Sequence, residues 1–318
     1  MSTPTGDLSA QSVPPGRRWL ASGAVVVLVA AMVVYVARTQ ELDSLRRLSL
    51  QVLLITCGLQ FLSNLFLNQS MLLPLQTCVT RLGFWELYLV RTGGFLAASV
   101  IPVAGGLAVR LAYLRNRGLT YLDFTWATLL SNVLALLATA VLGVLATGAL
   151  WMIAGRPPAS VLAVSAGVFA ASVAALVVFE YLPRISRWPQ FQRWSWLSAM
   201  RSPLGNRSMA VRVFILCMAR HGLNFVTFGL LLRSLSGVPV DFLAGGLLYA
   251  LTSPVRMVNI TPGNLGVTEW VVAVVGRMLN FDLADGLIVA VAFRGVGLVG
   301  QALGALVGSA ALAARKTS

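Results

Sequence analysis

The sequence predicts an all-α, polytopic helical membrane protein of about eight hydrophobic segments, two of them broken, re-entrant helices in an inverted repeat. Three observations carry this expectation. Of 318 residues, 58% are hydrophobic and 11% charged, with a mean hydropathy of +0.82, whereas a soluble domain has about 25% charged residues. Uncharged runs approaching the ~20 residues of a bilayer crossing recur along the whole chain. The remaining charge is almost all arginine, lodged between and inside those runs. A soluble enzyme of ordinary composition, a disordered chain and a disulfide scaffold are excluded.

The elements follow in order. Residues 1–16, rich in Pro, Ser, Thr and Gly, read as a disordered tail, and residues 17–318 as a single integral membrane domain. Arg17 and Arg18 precede the uncharged run 19–37. That run is long for a signal-peptide core and lacks a small-x-small end, so it reads as a first transmembrane helix. Further apolar segments lie at 48–67, 84–101, 125–154, 160–181, 209–232, 242–260 and 286–313. The most basic connection, 183–208, carries Arg184, Arg187, Arg193, Arg201 and Arg207 beside Trp188, Phe191, Trp194 and Trp196. Arginine next to tryptophan suits a segment lying at the headgroup level on the cytoplasmic side.

That orientation fixes the rest. With 183–208 and Arg17-Arg18 cytoplasmic, Arg81, Arg110, Arg115 and Arg117 also fall inside. Segment 84–109 must then start and end on one side, turning at Pro102-Val103-Ala104-Gly105-Gly106. Segment 242–280 does the same from the opposite face, turning at Pro262-Gly263-Asn264-Leu265-Gly266. Both termini come out cytoplasmic; Arg38, Arg46 and Arg47 count against the scheme, offset in part by Glu41 and Asp43. An internal repeat agrees with it. Leu87-Tyr88, Pro102, Asp123 and Asn132 recur as Leu248-Tyr249, Pro262, Asp285 and Arg294, about 160–162 residues on. The repeat halves run roughly 84–182 and 209–313, and paired broken segments of this kind form midplane substrate sites in transporters.

Several features exclude other chemistry. The net charge of +14 rests on 23 Arg and one Lys, Lys316, and is better suited to anionic lipid than to nucleic acid, which needs a basic stripe on a soluble fold. Cys57, Cys78 and Cys217 are too scattered for a metal or disulfide framework. No lysine precedes Lys316, so there is no Walker loop, and one histidine excludes a multi-histidine metal site. No cofactor and no metal is expected. Gly295-Val296-Gly297-Leu298-Val299-Gly300 fits a dinucleotide fingerprint but lies inside an apolar helix. Gly300, Gly304 and Gly308 read instead as a small face for close helix packing.

The informative residues are charges within the apolar runs: Arg220 and His221 in 209–232, Arg294 in 286–313, and Arg256, Glu269 and Arg277 flanking the second turn. An arginine at a helix centre costs roughly 2.5–3.5 kcal/mol on insertion scales, so each needs a partner, a wet cavity or a function. An ion pair between Glu269 and Arg294 is expected, which leaves Arg220 and Arg256 without an obvious carboxylate. Guanidinium forks of that kind suit a phosphate. A helix restarting at Leu265 or Gly266 would add backbone donors, and Asn259 and Asn264 side-chain donors. His221 reads first as a polar helix–helix contact. Arg91 is the one charge deep in the first broken segment, and Asn132 is uncharged.

Pro262-Gly263-Asn264-Leu265-Gly266-Val267-Thr268-Glu269 resembles the P-G-x-x-G-x-x-E motif of the lysylphosphatidylglycerol synthase transmembrane-region family, the flippase-like membrane proteins, with Arg294 at the family's downstream arginine. Pro102 through Arg110, with Tyr113 and Leu114, resembles its first-half motif. Val103-Ala104, Leu107 and Ser131-Asn132 depart from that pattern. The resemblance covers residues 20 to 313 or so. It implies movement of phospholipid or lipid-linked headgroups across the bacterial inner membrane. With the buried arginines, the expectation is a flippase for an anionic headgroup and not an enzyme, an intramembrane lipid transferase ranking last for want of paired carboxylates or a nucleophile–base set. The soluble synthase domain of fused members is not expected here. The substrate-binding set is Arg220, Arg256, Arg294, Glu269, Asn259, Pro262, Gly263, Asn264, Gly266, His221, Arg91 and Arg110. The alternative is a non-catalytic membrane partner of a glycosyltransferase or lipid-modifying enzyme, and a homo-oligomer is compatible with either.

Overall fold

The computed structural model describes residues 47–79, 82–100, 105–155, 157–185, 203–236, 241–257 and 264–317. The expected first span at 19–37, the arginine–tryptophan segment 186–202, and Pro102, Asn259, Pro262 and Gly263 lie outside them.

The expected apolar segments fold as α-helices whose ends are set by capping. Ser49 accepts from the Val52 N–H and opens α1, Leu50–Gln76. The first broken segment is two helices, α2, Phe84–Val100, and α3, Gly105–Arg115. Thr120 caps α4, Tyr121–Ala154, starting it four residues before the apolar run, and Gly155 ends it at φ +85°. Helix α5 spans Ala159–Ile185. After a 3₁₀ turn, Pro203–Asn206, the Asn206 side chain caps α6, Arg207–Leu235. Asp241 caps α7, Phe242–Thr252, which passes into a second 3₁₀ turn, Ser253–Met257. Helices α8, Val267–Met278, and α9, Leu283–Thr317, complete the described chain. Each polar cap satisfies a backbone donor that the first helical turn leaves open. No strand occurs among the described residues.

Five of these helices, α1, α4, α5, α6 and α9, are long and apolar enough to cross a membrane. The other four are not. Helices α3 and α7 have 11 residues each, which at 1.5 Å per residue reach about half of a ~30 Å hydrocarbon core. They occur as two adjoining pairs, α2 with α3 and α7 with α8, and the members of each pair pack on one another. The order long helix, short pair, long helix therefore appears twice. Leu283 opens α9 162 residues after Tyr121 opens α4.

Helix α9 joins the two halves, packing on α1, α2, α6 and α8. Its expected small face makes this approach possible. A methyl at Gly300 would lie 2.9 Å from the Phe61 backbone nitrogen of α1, and one at Gly304 would occupy the place of the Tyr88 hydroxyl of α2. Gly308 faces Trp85 in the same way. With lipid as apolar as the protein interior, close backbone approach is a main source of helix association. Helix α5 is the least buried of the five long helices among the described residues and α9 the most buried.

Candidate functional site: an arginine-lined cavity

Between the two halves lies a cavity of about 570 Å³, lined by side chains from α1, α2, α3, α4, α6, α7, α8, α9 and the second 3₁₀ turn. Its size is that of a small-molecule or headgroup site. Arg91, Arg110, Arg220, Arg256 and Arg294 all line it, and Glu269 is the one carboxylate among the described lining residues. His221, Asn264 and the neutral Asn132 line it as well.

The second broken segment supplies the rigid part. Gly266 sits at φ +81°, in the left-handed region that favours glycine, and lets α8 restart sharply at Val267. Glu269, three residues into that restart and nearly fully buried, accepts the Gly266 N–H through Oε2 at 2.8 Å. Its Oε1 accepts from Arg294 Nε and Nη2, each at 2.7 Å. The expected Glu269–Arg294 pair thus forms, and Arg294 also donates to the Asn264 carbonyl at 3.2 Å. Two expectations change here. The Gly266 N–H, expected to face a visiting anion, is taken by the chain's own carboxylate. The Asn264 side-chain nitrogen, expected as a ligand donor, turns to the carbonyls of Val255 and Arg256 at 3.4 and 3.2 Å. Asn264 therefore ties the restart to the 3₁₀ turn that carries Arg256.

Arg256 lies over two aromatic faces, 4.5 Å from the Phe293 centroid and 5.5 Å from that of Tyr249. Cation–π contacts of this kind hold a guanidinium without neutralising it, and its buried Nε has no hydrogen-bond partner among the described residues. Arg220, near the middle of α6, pairs with no carboxylate among the described residues. Arg91 is held by the first half: Nη2 reaches the Asn64 carbonyl and side-chain oxygen at 3.3 and 3.4 Å, and Cζ lies 5.3 Å from the Tyr88 centroid. Its Nη1 is buried without a partner. The expected helix–helix role of His221 is met, because Nδ1 bonds the Tyr249 hydroxyl at 2.7 Å across α6 and α7. Arg277, grouped by sequence with the buried charges, is 61% exposed at the far end of α8, beside Asp282.

Sequence reasoning missed the polar face of α1. Gln60, Ser63, Asn64 and Asn68 are buried, spaced on one side of the helix. Gln60 and Ser63 donate to Asn224 at 3.0 and 2.9 Å, and Asn224 donates to Tyr249 at 3.0 Å. The signal was present as polar residues three and four apart inside an apolar run. Glu86 was missed too; outside the cavity wall, it accepts from the Tyr113 hydroxyl and pairs with Arg117.

Buried polar atoms without partners gather around this one space: Arg91 Nη1, Thr92 Oγ1, Thr128 Oγ1, His221 Nε2, Arg256 Nε and Thr268 Oγ1. Each such atom costs about 1–3 kcal/mol when left unsatisfied, so their concentration makes this the space in the described structure best able to take up water or a polar ligand. Most of these atoms can donate, and the wall carries an excess of four positive charges among its described residues. Such an arrangement binds an anion by charge-assisted hydrogen bonds.

The sequence model of the family described as the lysylphosphatidylglycerol synthase TM region matches residues 18–305. No curated protein and no solved structure matches the chain. The matched span contains both broken pairs, the Glu269–Arg294 clasp and all five cavity arginines. The chain is a multi-pass helical membrane protein, and it belongs to the family of the lysylphosphatidylglycerol synthase transmembrane region.

Proposed function

We propose that the protein is a flippase-like carrier, without catalytic activity of its own, that moves an anionic phospholipid or lipid-linked headgroup across the bacterial inner membrane. The observation that carries this reading is the cavity wall, where five arginines face one carboxylate that is already committed to Arg294 and Gly266. Guanidinium groups at bilayer depth are costly without compensation. A headgroup phosphate compensates several at once and matches their fork geometry.

The element order supports an alternating mechanism. From α1 to α6 there are four long helices, α1, α4, α5 and α6. With each short pair turning back to the side it enters from, α1 and α6 run in opposite directions, and so do the two repeats. An inverted repeat of this kind allows the halves to exchange inward- and outward-open arrangements about a fixed site. The basic segment 183–208 and both termini then lie on the cytoplasmic face. The second reading, a membrane partner that anchors a glycosyltransferase or lipid-modifying enzyme, draws on Asn132, which stands where the repeat would place a counterpart of Arg294. Arg91 and Arg110 weigh against it, because they bring charge from the first half to the same space.

The test is reconstitution into liposomes carrying a fluorescent anionic phospholipid, with dithionite quenching to read transbilayer movement. Wild type accelerates movement, and Arg220→Ala and Arg294→Ala slow it at least tenfold at equal protein density. Identical rates in protein-free and wild-type vesicles would overturn the carrier reading for the lipids used.

A further inference from the structure

The headgroup reading leaves open which anion the cavity prefers. Building on that reading, we propose that the cavity selects headgroups bearing at least two negative charges, a phosphomonoester or a diphosphate, over a phosphodiester with one.

Charge is the first argument. The wall holds an excess of four positive charges among its described residues. Glu269 is spent on Arg294 and the Gly266 N–H. Arg91 and Arg256 are held by neutral groups, the oxygens of Asn64 and the faces of Tyr88, Tyr249 and Phe293. The like charges also line one cavity of about 570 Å³ together. In a low-dielectric surround their repulsion is screened little by salt. A phosphodiester relieves one unit of it. A phosphomonoester, whose second proton leaves near pH 6 in water, relieves about two, and the field of the wall favours that loss. A diphosphate relieves more.

Geometry is the second argument. Arg91 comes from α2, Arg220 from α6 and Arg256 from the second 3₁₀ turn, so the donors converge from three directions. A guanidinium offers five N–H groups. The two unesterified oxygens of a diester lie along a single tetrahedral edge and cannot face three separated forks. The three oxygens of a monoester, or the larger set of a diphosphate, can. The unpartnered hydroxyls of Thr92, Thr128 and Thr268 add donors for the same oxygens.

The experiment uses the full chain purified in detergent at pH 8 and three lipids with identical acyl tails: phosphatidylglycerol, phosphatidic acid and diacylglycerol pyrophosphate. Binding is read by native mass spectrometry. Phosphatidic acid is expected to bind at least tenfold more tightly than phosphatidylglycerol, and the diphosphate more tightly again. Arg220→Gln and Arg256→Gln each shrink that gap to below threefold, while the exposed Arg277→Gln leaves it unchanged. Elution volume and melting temperature identify any variant that fails to fold, in which case the other arginine carries the comparison. Equal affinity for the three lipids, or a preference for phosphatidylglycerol, overturns the charge preference and leaves the headgroup reading standing. Binding of none of them by the folded protein overturns both. Inorganic pyrophosphate provides the last arm. Binding as tight as that of its lipid counterpart would support the anion class and overturn a lipid as its source.

Discussion

The two broken pairs begin alike and solve the same electrostatic problem differently. Each contains a Leu-Tyr step whose tyrosine is fully buried, Tyr88 in α2 and Tyr249 in α7, and each tyrosine has an arginine over its ring, Arg91 and Arg256. In the second half the carboxylate, Glu269, faces the cavity and clasps Arg294 of the following long helix. In the first half the carboxylate, Glu86, sits in the first turn of α2 and holds Tyr113 and Arg117, outside the cavity wall. Asn132, in the long helix that follows the first pair, is uncharged where Arg294 follows the second. The second half is therefore a compensated clasp, while the first holds Arg91 by the neutral oxygens of Asn64 and the face of Tyr88, with no carboxylate pairing it among the described residues. One half compensates its arginine internally and the other leaves its arginine charge uncompensated among the described residues.

The comparison can be broken most directly at Glu269. Glu269→Gln removes the charge that pairs with Arg294 and leaves one oxygen for two contacts, Arg294 and the Gly266 N–H, and should cost about 3 kcal/mol, the scale of breaking a buried ion pair, read as a midpoint shift in SDS-induced unfolding. The double variant Glu269→Gln/Arg294→Gln should recover at least half of that loss, because the charge left buried is then gone. A Glu269→Gln protein as stable as wild type would remove the clasp from the account. Tyr249→Phe comes next. Its hydroxyl joins His221 and Asn224, so the change should cost about 1–2 kcal/mol in the same assay.

The first half should be more tolerant. Glu86→Gln breaks a pair whose Arg117 side chain is 46% exposed, so the expected loss is below about 1 kcal/mol. A loss equal to that of Glu269→Gln would show the two clasps to be equivalent. The smallest effect belongs to Tyr88→Phe. The Tyr88 hydroxyl is buried with no partner, so its removal should be neutral within about 0.5 kcal/mol or slightly stabilising. Tyr88→Phe and Tyr249→Phe together form the sharpest contrast, the same atom deleted from two buried tyrosines that each lie under an arginine, with different outcomes.

Much of the fold was legible beforehand, for physical reasons tied to particular residues. Apolar runs of membrane length can only be helices or barrels, since backbone groups must be satisfied within the bilayer, and the unbroken lengths here favoured helices. The two short-helix pairs fell in the segments that Pro102 and Pro262 marked as interrupted, and the turns expected at those prolines lie outside the described residues. The Glu269–Arg294 pair was legible by scarcity, Glu269 being the one carboxylate near depth in its half. The small face of Gly300, Gly304 and Gly308 followed from four-residue spacing.

The amino-acid sequence by itself determined the class of protein, its apolar segments, its two breaks and the identity of its buried charges. Only the tertiary structure decided which of those charges meet. Arg91, Arg220 and Arg256 are separated by up to 165 residues, and Arg277, equally apolar in its surroundings, points away. The reason lies in the solvent. In water a buried helix face announces itself by contrast with a polar one. In lipid the outer face is as apolar as the core, so periodicity cannot tell which face turns inward. Packing alone turned the arginines and the polar stripe of α1 toward the same cavity.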